Sequence, residues 1–200
     1  MKTEYEKCLS GEPFIGEKDP KVMEMVLRTK RLLAQFNATD LADVERRQAL
    51  LREMLGCVGK GIHVDIDFHC EYGKHIFIGD RVIINMNCTF VDNNRIDIGN
   101  DVLIASNVQI YTATHSTDVR ERIVQDWDGS GGICYTLAHP VRIENGAWIG
   151  GGAIILPGMT IGENTVIGAG SVVTRSIPAN CVAVGNPCRI IKRLDNQSQP

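Results

Sequence analysis

From Ile143 onward an aliphatic residue recurs at every sixth position without a break: Ile143, Ile149, Ile155, Ile161, Ile167 and Val173. An α-helix repeats at 3.6 residues and a strand at 2, so neither produces that spacing. A period of six implies a coil whose edge returns every six residues, as in a hexapeptide β-helix. The same interval runs upstream through Ile66, Tyr72, Ile78, Ile84 and Phe90, slips by two, and resumes at Ile98, Ile104 and Ile110. Four residues after these aliphatics come slimmer side chains, among them Val82, Cys88, Val102, Val108, Ala147, Ala153, Met159, Thr165 and Ser171. Between them lie Gly79-Asp80, Gly99-Asn100-Asp101, Gly150-Gly151-Gly152 and Gly162-Glu163-Asn164, residue types that tolerate tight corners. The three segments are expected to form one solenoid. Gly150 to Gly152 read as corners and not as a phosphate loop, because no Lys-Ser/Thr follows them.

The first fifty-odd residues carry a helical pattern instead. Asp19-Pro20 sets a capping carboxylate before a first-turn proline, and Val22, Val26, Leu27, Leu32, Leu33 and Phe36 follow at near-helical spacing. Cap residues Asn37 to Asp40 interrupt the pattern, and Leu41, Val44, Leu50, Met54 and Leu55 resume it, which predicts a second helix over about 40–55. Glu45, Arg46, Arg47, Arg52 and Glu53 are read as its solvated face. The expected organisation is a helical region over 1–57 and a solenoid over 58–195. A loop inserted at 116–140 breaks the hexads, and a polar tail occupies 196–200.

Charge and cysteine content narrow the function. Lys+Arg 21 against Asp+Glu 24 gives a net charge of −3 with no basic concentration, which argues against a nucleic-acid partner. Met1 to Ser10 holds no apolar leader core, and no apolar run reaches the length of a membrane span, so a cytoplasmic protein is expected. The seven cysteines are odd in number and include no C-x-x-C pair, so they are read as buried small hydrophobes in a reducing compartment. His63, His69 and His75 are six apart. On a coil whose edge returns every six residues such positions fall on successive faces, and no metal is expected.

The isoleucine-led hexads resemble those of the hexapeptide acyltransferases, and within them the chain is similar to the maltose and galactoside O-acetyltransferases through to about Leu194. The motifs that carry the likeness are Ser10-Gly11-Glu12-Pro13-Phe14, Glu71-Tyr72-Gly73, Asn85-Met86-Asn87, Val91-Asp92, Ala113-Thr114-His115-Ser116, Trp148-Ile149-Gly150-Gly151 and Val184-Gly185-Asn186-Pro187-Cys188-Arg189. The resemblance implies a mainly β protein, a left-handed parallel β-helix with a short N-terminal helical region. It also implies acetyl-CoA as cosubstrate, a sugar acceptor such as maltose, glucose or a galactoside, and a homotrimer with active sites between subunits.

His115 closes the upstream hexads in a polar stretch, and an imidazole is a suitable base to take a hydroxyl proton near neutrality. It matches the family's catalytic histidine. Asn85 matches the residue that faces the acceptor and the reacting centre, where a carboxamide serves a sugar hydroxyl or an oxyanion. Glu71, Asp92 and Asn93 match positions lining the sugar pocket. The acid expected soon after Phe14 is displaced, with Glu17 standing nearest. Trp148, Gly151, Ala169, Thr174, Arg175, Arg189 and Lys192 match positions along the coenzyme A groove, with the three cations suited to its phosphates. Two alternatives stand beside this reading. One is an acetyltransferase for another hydroxylated acceptor, such as an antibiotic or an oligosaccharide precursor. The other is a metalloenzyme of the γ-carbonic anhydrase kind. Trp127 in the inserted loop either closes over an acceptor or anchors the loop to the prism.

Overall fold

The computed structural model describes residues 1–194, so the end of the 58–195 segment and the 196–200 tail lie outside the described residues. Three helices come first: α1 (Glu4–Ser10), α2 (Pro20–Ala38) and α3 (Val44–Met54). The apolar spacing did not predict α1, which at seven residues is too short to display a period. Its signal is instead a capping box: Thr3 Oγ1 accepts from Glu6 N, and Glu6 Oε2 accepts from Thr3 N. Helix α2 begins where Asp19-Pro20 predicted, with Asp19 accepting from Lys21 N. Helix α3 starts at Val44 and not near 40, because Asp43 supplies the cap by accepting from Arg46 N, while Asp40 closes the preceding turn through Ala42 N.

One charge assigned to the solvated face of α3 is not there. Arg47 is buried, donates to the carbonyls of Phe36 (3.1 Å), Thr39 (3.0 Å) and Val64 (2.8 Å), and lies over the Phe36 ring. The guanidinium thereby ties both long helices to the solenoid.

The solenoid is a prism of three parallel sheets. The inward residues stack as Val58, Ile78, Ile98, Ile143 and Ile161 on the first sheet. On the second they are Val64, Ile84, Ile104, Ile149, Ile167 and Ala183, and on the third Cys70, Phe90, Ile110, Ile155 and Val173. All but Val58 are buried, and burial of these side chains is the main force holding the coils together. The end of the prism is covered by Leu33, Phe36, Leu50 and Met54 of α2 and α3, which join the same core.

The register corrects the upstream frame. Val64 and Cys70, not Ile66 and Tyr72, occupy the inward positions, because the slip of two seen after Phe90 also occurs after Cys70. The first coils therefore repeat every 20 residues (Val58, Ile78, Ile98), and the later ones every 18 (Ile143, Ile161). Every addition falls on one edge, where the third sheet returns to the first: residues 71–75, residues 91–95, and the long excursion between Ile110 and Val141.

The other edges stay tight. Asn87 and Asn107 adopt positive φ (59° and 62°) and hydrogen-bond to each other between coils. At Gly79, a Cβ would stand 2.6 Å from Asn100 Oδ1 and 2.8 Å from the Gly99 backbone, so the coil above leaves room only for glycine. The last strands among the described residues form an antiparallel pair, Cys181–Val184 with Arg189–Arg193. Among the described residues, no helix is long and apolar enough to cross a membrane.

Candidate active site

The thickened edge builds a cleft of about 570 Å³. Its floor comes from the added residues Glu71, Tyr72 and Asn93 together with Tyr111, and Phe14, Glu17, Val22, Met23 and Val26 of the N-terminal region close one side. His115 and Thr136 stand at the base of the excursion. There Ala113–Thr114 pairs antiparallel with Leu137–Ala138, which sets residues 115 and 135–136 side by side.

His115 is exposed, and its Nδ1 lies 2.8 Å from the carbonyl oxygen of Tyr135. A carbonyl only accepts, so Nδ1 carries the proton and Nε2 keeps its lone pair. The group that orients the imidazole is thus a main-chain oxygen, for which a side-chain pattern offers no signal. The N-terminal segment is tied to the same strand: Phe14 N donates to Thr136 O (3.0 Å), and Thr136 N donates to Phe14 O (2.9 Å).

Glu71 is half-buried on the cleft wall. Burial pushes its carboxyl up, Lys30 pulls it down, and the charges of Asp92 and Glu17 push it up again. Glu17, on a short turn at Gly16–Lys18, reaches the cleft despite its displacement in sequence. Asn93 lines the wall, while its carbonyl accepts from Cys8 Sγ (2.9 Å) and His75 Nδ1 (2.9 Å).

Asp92 is not on the wall. Its side chain is fully buried behind it, with Oδ1 accepting from Glu71 N (2.8 Å) and Tyr72 N (2.9 Å). Oδ2 has no partner among the described residues. Burial raises this carboxyl to about 6 against the pull of those amides. Asp92 holds the corner that presents Glu71 and Tyr72, which corrects the expectation that it faces the acceptor. Its hydrogen bonds to the Glu71 and Tyr72 amides keep it turned away from the cleft.

Asn85 also lies away from His115 within one chain. It is exposed on a different edge, where the second sheet passes to the third, and its N donates to Ile104 O. Gly151 and Ala169 stand on that same edge, with Gly170 N donating to Gly151 O. Trp148 lies half-exposed on the outer face of the second sheet, in register with exposed Leu103 and, one coil further, Ile83. Thr174 and Arg175 follow the last strand of the third sheet, on the edge of His115, and Arg189 and Lys192 sit on the terminal antiparallel strand. Of the sequence-derived acceptor and catalytic residues, the cleft gathers His115, Glu71, Asn93 and Glu17 and omits Asn85 and Asp92. Val22 and Val26, read as helix core, form part of its apolar side. Trp127 is not among the cleft-lining residues, and its Nε1 donates to Ser130 O (2.9 Å) within its own loop.

His63 and His69 are exposed on the second and third sheets, while His75 is buried with its Nδ1 on two carbonyls and Tyr5 Oη 3.0 Å from Nε2. Burial lowers its pKa, against the pull of those carbonyls, and favours neutral imidazole. Among the described residues, no three His, Cys, Asp or Glu side chains converge as a metal site.

Residues 7–59 match the maltose acetyltransferase hexapeptide capping motif, and residues 140–175 match the bacterial transferase hexapeptide (six repeats). The galactoside O-acetyltransferase of Escherichia coli (strain K12) is 39% identical over 176 residues, covering 88% of this chain and 82% of that protein. The chain belongs to the maltose and galactoside O-acetyltransferase family. The crystal structure of a maltose O-acetyltransferase from Clostridium difficile 630 superposes with a TM-score of 0.89 at 44% identity, covering 98% of this chain and 99% of that one. A hexapeptide-repeat acetyltransferase from Vibrio cholerae, solved with acetyl coenzyme A, gives a TM-score of 0.85 at 39% identity over 98% of this chain and 100% of that one. The relatives named as acetyltransferases favour the acetyl-transfer reading over the carbonic anhydrase alternative.

Proposed function

We propose that this protein transfers the acetyl group of acetyl-CoA to a hydroxyl of a sugar such as maltose, glucose or a galactoside. The observation that carries the reading is the His115 Nδ1 contact to Tyr135 O, which leaves Nε2 free at the mouth of a cleft holding Glu17, Glu71 and Asn93. Carboxylates accept hydrogen bonds from vicinal hydroxyls, and a carboxamide both accepts and donates. The apolar side formed by Val22, Met23 and Val26 suits the flat face of a sugar or an apolar aglycone.

His115 Nε2 takes the acceptor's hydroxyl proton as its oxygen bonds to the thioester carbonyl carbon. The carbon–sulfur bond then breaks, and the imidazolium returns the proton to the departing sulfur. The products are the acetyl ester and coenzyme A, and no covalent acyl-enzyme is needed. Asn85 serves the developing oxyanion. Because Asn85 and His115 occupy different edges of one prism, Asn85 reaches this centre from a neighbouring copy, and a homotrimer places one active site at each junction. The exposed row of Ile83, Leu103 and Trp148 supports an association surface there. Exposed Arg175, Arg189 and Lys192 suit the phosphates of coenzyme A, with Trp148, Gly151, Ala169 and Thr174 along its arm. Seven unpaired cysteines fit a cytoplasmic location.

The test is coenzyme A release from acetyl-CoA, followed with a thiol reagent across glucosides, galactosides, maltose and hydroxylated antibiotics, for the native chain and His115→Ala. Sugar-dependent release that falls about 10²–10⁴-fold in the variant is expected. Equal release by both proteins overturns the role of His115, and release with antibiotics alone replaces the sugar by another hydroxylated acceptor.

A further inference from the structure

The two arginines of the excursion after Ile110, and Lys18 of the N-terminal turn beside it, use their charges differently. Arg120 pairs with Asp118, and Lys18 lies against the loop tip at Gly131. Arg122 does neither: among the described residues it makes no ion pair, and it is only part-exposed. Its Nη1 donates instead to Ser116 O (2.8 Å), the carbonyl immediately after His115. Its own carbonyl accepts from Tyr135 N (2.7 Å), and Tyr135 O accepts from His115 Nδ1 (2.8 Å).

These contacts close a ring. From His115 the chain passes covalently to Ser116, crosses to the Arg122 guanidinium, continues through the Arg122 backbone to Tyr135, and returns to the imidazole. We propose that Arg122 is the positioning residue for His115, joining the two strands of the excursion that meet at the imidazole. The ring fixes two things at once. Ser116 O sets where the His115 backbone stands, and Tyr135 O sets the ring rotation and holds the proton on Nδ1. Without the guanidinium, the two sides keep only the Ala113–Thr114 ladder with Leu137–Ala138, and the Ser116 side loses its tie through Arg122 to Tyr135. The carbonyl then no longer stays within 3 Å of Nδ1, and the imidazole is free to populate the Nε2–H tautomer, which cannot accept a proton at the cleft. The Ser116 hydroxyl, donating to Glu121, steadies the same turn from its other side but does not touch the Tyr135 strand.

This inference rests on His115 being the base only for its kinetic consequence; the ring geometry is measurable by itself. The experiment compares native protein with Arg122→Met, Arg122→Gln and Arg122→Lys, with thermal melting to confirm that each is folded. Steady-state kinetics in acetyl-CoA and acceptor are read beside the ring-nitrogen NMR shifts of 15N-histidine-labelled protein, with His115 assigned through His115→Gln. Arg122→Met and Arg122→Gln are expected to lower kcat about 10- to 100-fold with the KM for acetyl-CoA unchanged, less than the roughly 10²–10⁴-fold that loss of the base itself costs. They should also convert the His115 signals from the Nδ1–H form to a tautomer average, and Arg122→Lys, which keeps one donor, should restore most of both. Unchanged Nδ1–H signals in Arg122→Met and Arg122→Gln overturn the positioning role whatever happens to rate. If the signals change but kcat does not, the ring exists and it is the base assignment of His115 that fails.

Discussion

Asp92 Oδ1 accepts the backbone N–H of Glu71 at 2.8 Å from behind the cleft wall, so one acidic residue is held in place by another that never meets solvent. The same oxygen takes the Tyr72 N–H, and the second oxygen has no partner among the described residues. Asp92 thus spends part of its hydrogen-bonding capacity on shaping the corner and leaves the rest buried and unused.

That arrangement has a pH signature. Burial raises the Asp92 carboxyl from 3.8 to about 6 in the folded protein. The folded chain therefore binds this proton more tightly than the unfolded chain, so its stabilising effect is full below about pH 4 and is lost as pH rises through about 6. Asp92→Asn keeps an oxygen for the two amides and cannot ionise. The melting temperature of the native protein minus that of Asp92→Asn is expected to fall between pH 4 and pH 7, by the equivalent of roughly 2–3 kcal/mol. A difference that stays flat across this range would show that Asp92 does not titrate there.

Glu71 and Glu17 face the cleft from opposite sides, one on the prism edge and one on the N-terminal turn. Glu71→Gln and Glu17→Gln each retain shape and lose the charged acceptor of hydroxyl protons. Each is expected to raise the KM for the sugar about tenfold, in line with about 1.4 kcal/mol for a charge-assisted bond, while leaving the KM for acetyl-CoA unchanged. Initial-rate measurements with each substrate varied in turn check this, and a rise confined to acetyl-CoA would move these residues to the donor side.

The hexad period was enough to identify the solenoid because each inward side chain must stack on its counterpart in the next coil, and that demand writes itself into the spacing. It failed at Ile66 and Tyr72, where two added residues shift the register without changing the residue types. Those additions build the cleft, so the frame is least readable where function sits. His115, Glu71, Asn93 and Glu17 were legible as side chains. Tyr135 was not, since it contributes a carbonyl that any residue carries. Arg47 was misread because the charge pattern of α3 does not reveal that three carbonyls await its guanidinium on the inner side.

Arg47→Met is therefore expected to destabilise far more than its neighbours. It strands the carbonyls of Thr39 and Val64, the latter in a buried contact, and leaves Phe36 O only the Thr39 N–H. Leaving such acceptors unsatisfied costs about 1–3 kcal/mol each, so a loss of about 3 kcal/mol or more is expected in urea unfolding. Arg46→Met, at an exposed position bonded to Gln35, should change stability by less than about 0.5 kcal/mol.

The separation of Asn85 and His115 on two edges of one prism gives a test of assembly that needs no structure of the complex. If each centre combines His115 of one copy with Asn85 of its neighbour, His115→Ala and Asn85→Ala are each nearly inactive alone. When the two are unfolded together and refolded as a mixture, some junctions receive the native histidine from one chain and the native asparagine from the other. Activity should then appear in the mixture and exceed the sum of the two variants refolded separately. Mixing without unfolding should restore little if the copies exchange slowly, which separates shared sites from simple addition. A mixture no more active than its parts would place both residues in a single chain's centre, and would count against the proposed trimer.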